Sequence, residues 1–152
     1  MAIAACWAVT LAARGALGAQ QTGAPPAAGS APPPQASVWD GVFTEGQATR
    51  GAAVYAQECA RCHGDALEGD GEEATPLVDG SFLSNWNGKT IGDIYERIRK
   101  TMPDKNPGKL SRQEDVDVMT YLLSFNGFPA GKVELAIEVE RLKLIKFDAI
   151  RK

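Results

Sequence analysis

One histidine, His63, stands in a chain of 152 residues, which excludes any centre that needs two imidazoles. Cysteine is nearly as scarce. Of Cys6, Cys59 and Cys62, the first lies in an N-terminal segment expected to be removed, which leaves one pair and no disulfide framework. The apolar run over 2–13 is too short to cross a bilayer, so no transmembrane segment is expected in the mature chain. A formal net charge of -3 carries no polybasic signature of nucleic-acid binding. No alternating strand pattern of useful length appears, and no acid/base pair, nucleophile–base constellation or phosphate-binding glycine loop marks an independent enzyme. The length suits one domain.

What is present is Cys59-Ala60-Arg61-Cys62-His63, the C-x-x-C-H pattern of covalent haem c attachment. Thiols three apart at the end of a helical stretch lie on one side, and each can bond one haem vinyl group. The following imidazole is then placed under the iron as proximal ligand. Other readings fit less well. A structural disulfide has no use for the adjoining histidine, and a thioredoxin-like pair needs a βαβ setting. Structural zinc needs four protein ligands, and these residues supply three.

Residues 1–19 read as a secretory signal: Ala-rich and apolar, then small residues around Ala16-Leu17-Gly18-Ala19, though without a basic start. Residues 20–37, with Pro32-Pro33-Pro34, bury too little apolar surface to offset their ordering entropy and read as a disordered linker. The folded domain is expected over 38–131, with a C-terminal amphipathic helical extension over 132–152. Export agrees with haem attachment outside the cytoplasm and places the chain in the periplasm.

The expected fold class is all-α. Thr44 and Gln47 have capping-box spacing and start a helix that runs to Cys59. A second helix opens at Thr90, with Ile91, Ile94, Tyr95 and Ile98 at helical spacing. Ser111 and Glu114 cap a third, with Val116, Met119, Thr120 and Leu123 on one face; Asn126-Gly127 ends it. A last amphipathic segment over 133–147 carries Leu135, Val139, Leu142 and Ile145.

The iron needs a sixth ligand or an open position. Without a second histidine the candidates are Met102 and Met119, since Met1 lies in the signal. Met119 falls mid-helix on the apolar face, where methionine usually fills a core. Met102 precedes Pro103 in a loop with Pro107 and Gly108, which can hold a thioether at little further ordering cost.

Trp39-Asp40-Gly41-Val42-Phe43-Thr44, the 51–64 stretch with its haem motif, Trp86, Thr101-Met102-Pro103, Pro107-Gly108 and the 121–131 stretch together resemble the bacterial class I monohaem cytochromes c. The type is the small periplasmic group associated with quinoprotein dehydrogenases. The resemblance implies helices packed around one haem c, held by Cys59 and Cys62, with His63 and Met102 as axial ligands. It implies single-electron transfer between a dehydrogenase, such as a quinoprotein (PQQ) enzyme, and a downstream acceptor such as a terminal oxidase. It also implies that the carbonyl of Pro76 accepts a hydrogen bond from the proximal imidazole. Trp86 either lines the haem crevice, with its indole N–H toward a propionate, or is an ordinary core tryptophan. Two further readings stand beside the free carrier: a dedicated haem subunit of one dehydrogenase complex, and a sensor or catalyst with an open iron position. Acidic residues over 65–79 and basic residues around Met102 (Arg97, Arg99, Lys100, Lys105, Lys109, Arg112) make either a dipolar docking surface or two solvated loops.

Overall fold

A hydroxyl residue followed three positions later by an acid or amide starts each of the longest helices. The reciprocal capping bonds are present in the computed structural model, which describes residues 36–71 and 74–151. Thr44 and Gln47 cap α1 (Glu45–Glu58), and a separate turn of helix, α2 (Ala60–His63), follows at once. After a loop come α3 (Asp79–Trp86) and α4 (Ile91–Thr101), the latter capped by Thr90 and Asp93. Ser111 and Glu114 cap α5 (Arg112–Phe125). The signal segment, Cys6, the linker up to residue 35 and the acidic pair Glu72 and Glu73 lie outside the described residues.

α1 packs across α5, and Gly51 makes the close approach possible: a Cβ there would run into the backbone carbonyl of Asp117. Tyr55 and Tyr121 stack at the same crossing, with ring centroids 5.2 Å apart. Arg50 of α1 holds the buried Asp117 of α5 through Nε (2.9 Å) and Nη2 (3.1 Å), and its Nη1 reaches Glu134. The core beneath includes Phe43, Leu67, Ile91, Val116, Met119 and Leu123, all fully enclosed.

The C-terminal segment differs from the expected amphipathic helix. It is an extended strap with a single helical turn, α6 (Val139–Leu142). Outside that turn, other parts of the chain supply several of its backbone partners. The side chain of the buried Gln47 brackets Leu135, donating from Nε2 to its carbonyl (3.0 Å) and accepting from its N–H (2.7 Å). Further on, β2 (Ile145–Lys146) pairs in parallel with β1 (Ala36–Ser37). The apolar residues Leu135, Leu142, Ile145 and Phe147 are buried as expected, but as side chains of a strap rather than one helical face. The same pairing moves the start of the fold: Ala36 and Ser37, expected in the linker, belong to the domain, and Ala36 is buried. α3 also went without an expected counterpart. The two short strands leave the architecture all-α in substance.

Candidate haem site

α1 stops at Glu58 because Cys59 leaves helical geometry, with φ -123° and ψ -39°. The chain then winds one more turn about the Cys59 carbonyl, which accepts from the N–H of Cys62 (3.1 Å) and of His63 (3.0 Å). This turn sets Cys59 and Cys62 three positions apart on neighbouring places of one surface. Both thiols are free; Cys59 is half-buried and Cys62 exposed. Burial, and then the negative charge of Glu58, push the Cys59 thiol up to about 11, so it is held protonated at neutral pH. Gly64 ends the turn at a positive φ of 76°, and its carbonyl accepts from the Tyr55 hydroxyl (2.7 Å).

His63 is oriented by the main chain. Its Nδ1 lies 3.1 Å from the carbonyl oxygen of Thr75. A carbonyl only accepts, so the bonded form carries its proton on Nδ1 and leaves Nε2 with its lone pair for a metal. The loop that brings Thr75 there is closed by its own bonds. Gly69 N–H donates to the His63 carbonyl (2.8 Å), Asp70 N–H to the Ala74 carbonyl (3.2 Å), and Leu77 N–H to the Leu67 carbonyl (2.8 Å). A Cβ on Gly69 would strike the Ala74 carbonyl, so this closure needs glycine. The expected acceptor was the Pro76 carbonyl; the structure uses the carbonyl one residue earlier. A residue before proline is confined to extended backbone, which fixes the direction in which the Thr75 carbonyl points.

Met102 ends α4, with its N–H on the Ile98 carbonyl (2.8 Å) and an extended backbone thereafter. Its own carbonyl accepts from Gly108 N–H (3.3 Å), so the loop from Met102 to Leu110 folds back on itself. One side chain ties that loop to the attachment turn. Lys109 Nζ reaches both carboxylate oxygens of Glu58, at 2.8 and 2.7 Å, and Glu58 adjoins Cys59. Met102 is partly buried, whereas Met119 is completely enclosed in the core. Trp86 sits at the end of α3, partly buried at the margin of the core, 6.5 Å from Phe82.

Two free thiols on one turn and an imidazole with Nε2 available suit an iron porphyrin bound through its vinyl groups. Sequence reasoning did not anticipate the Thr75 carbonyl, the Lys109–Glu58 tie, or Asp115. That last acid lies in the first turn of α5. It is in fact fully buried, with Oδ2 2.7 Å from Arg99 Nη1. Only the i to i+16 separation from Arg99 distinguishes it, and no local pattern reads that.

The family described as cytochrome C oxidase, cbb3-type, subunit III matches residues 46–122, about half of the chain. No curated protein matches it. Among solved structures, the sulfane dehydrogenase SoxCD from Paracoccus pantotrophus is similar at 22% identity and a TM-score of 0.45. The similarity covers 72% of this chain and 61% of that one, so the chain spans less than two thirds of its neighbour.

Proposed function

We propose that this chain, which belongs to the c-type cytochrome family of cbb3-type cytochrome c oxidase subunit III and so carries covalently bound haem c with its iron, is a periplasmic single-electron carrier. In this reading Cys59 and Cys62 form the thioether links, and His63 and Met102 are the axial ligands. The observation that carries it is the bond between His63 Nδ1 and the Thr75 carbonyl. It presets the tautomer and aims Nε2, as carbonyl partners of metal-bound histidines do. A methionine opposite histidine favours a raised potential and a closed coordination shell, both suited to electron transfer. Export is supported by the character of residues 1–19, and among the described residues no helix is long and apolar enough to cross a membrane.

The donor is a dehydrogenase, a quinoprotein enzyme being the type the resemblance suggests, and the acceptor a downstream oxidase. A free carrier is favoured over a dedicated subunit because the C-terminal strap buries Leu135, Leu142, Ile145 and Phe147 in its own domain rather than offering them to a partner. The reduced holoprotein should ignore carbon monoxide, and Met102→Ala should bind it. Ready binding by the unmodified protein would favour the open-iron sensor or catalyst instead.

A further inference from the structure

One guanidinium on the helix that leads into the Met102 loop reaches the far end of that loop. Arg99, three residues before Met102, donates from Nη1 to the carbonyl of Leu110 (3.1 Å), where the loop ends. The same Nη1 donates to Asp115 Oδ2 in α5 (2.7 Å). Leu110 is buried and Asp115 has no exposed surface, while the Arg99 side chain keeps about a third of its own. The Asp115 carboxylate is thus an expensive feature. Its Oδ1 is buried without a hydrogen-bond partner, and burial pushes its pKa up in spite of the adjacent guanidinium. A buried carboxylate of this kind is a poor device for raw stability, since apolar side chains of similar size commonly do as well. It does define one position for the guanidinium, and through it the distance between the two ends of the loop.

We propose that Arg99 and Asp115 are positioning residues for the sixth iron ligand: together they brace the 102–110 loop so that the Met102 thioether stays in place on the iron. This rests on the reading of Met102 as ligand. The tie from Lys109 to Glu58 holds the same end of the loop against the attachment turn. Arg99 and Asp115 act through the loop and have no part in the electron transfer itself.

The test is carbon monoxide binding to the reduced, haem-loaded protein, alongside the pH at which the oxidised protein loses its sulfur-to-iron charge-transfer band. Arg99→Met and Asp115→Asn should raise the apparent affinity for carbon monoxide about tenfold by populating a loop-open state, and should lose the band at lower pH. Arg99→Lys, which keeps the charge, should recover part of the effect. Leu135→Ala, a core truncation in the C-terminal strap, serves as control: it should lower stability without changing either readout. Unchanged carbon monoxide binding in Arg99→Met and Asp115→Asn, while Met102→Ala binds it readily, would overturn the brace and leave the ligand assignment standing. An equal rise in Leu135→Ala would overturn it as well, by making the effect one of general destabilisation. Persistence of the band in Met102→Ala would overturn both.

Discussion

At Gly51 the missing side chain lets two helices touch backbone to backbone. Replacing glycine by alanine in an exposed helix interior normally gains about 1 kcal/mol of propensity. Here the added Cβ would meet the Asp117 carbonyl, which belongs to a rigid helix and has little room to retreat. Overpacking of this sort costs roughly 1–3 kcal/mol, so Gly51→Ala should destabilise the holoprotein in denaturant unfolding despite its better propensity. A stabilised variant would show that the crossing of α1 on α5 is looser than described. The His63 contact follows a similar logic at the same scale. Because the acceptor is a main-chain carbonyl, it is insensitive to the identity of residue 75. That is why the neighbouring proline, and not the threonine, was the visible signal. The motif residues themselves, Cys59, Cys62 and His63, were legible because their chemistry depends on spacing within one turn. The Thr75 carbonyl was shifted by one place because which carbonyl faces the ring is set by loop closure at Gly69, a three-dimensional matter.

Among the elements, those with a local start signal were readable and those held from a distance were not. Capping boxes at Thr44, Thr90 and Ser111 are formed within four residues, so α1, α4 and α5 stand where the sequence placed them. α3 has no side-chain cap; Asp79 enters it at φ +62°. Its start is fixed instead by Asn126, whose Oδ1 accepts from Asp79 N–H (3.2 Å) while Nδ2 donates to the Leu77 carbonyl (2.9 Å). The strap was misread for the same reason. Its apolar spacing suits a helix, yet Gln47 and β1 outcompete helical hydrogen bonding. The strap also docks on α4 electrostatically. Bonds from Lys100 first and Lys143 next hold the Glu96 carboxyl down to about 2, against an ordinary value of 4.5. A carboxylate depressed in the folded state contributes stability above its unfolded pKa and loses it as pH falls through the folded one. The bond from strap to α4 should therefore weaken between about pH 4.5 and 2, seen as faster hydrogen exchange across α6, with Glu96→Gln flattening that dependence. An unchanged pH profile in Glu96→Gln would mean the ion pair has no part in docking.

For the whole molecule, charge decides how a partner is met. Several basic residues near Met102 are spent within the domain: Arg99 on Asp115, Lys100 on Glu96, and Lys109 on Glu58. Arg97, Lys105 and Arg112 are exposed, as are Asp65, Glu68 and Asp79 around the loop that serves His63. In the proposed carrier these exposed charges would steer an encounter, and steering over such a surface is screened once the Debye length falls to about 8 Å at physiological salt. Electron transfer to an acidic partner should slow steeply with added salt, and less steeply in a Lys105→Gln, Arg112→Gln double variant. A flat response in the unmodified protein would assign these charges to solvation alone.

In the proposed carrier one thioether, in one loop, completes the coordination begun by the attachment turn. Its most direct test is the weak sulfur-to-iron charge-transfer band of the oxidised holoprotein, recorded for Met102→Ala and for Met119→Leu. The band should vanish in the first and persist in the second, because Met119 is enclosed in the core. A band that survives in Met102→Ala and disappears in Met119→Leu would contradict this ligation.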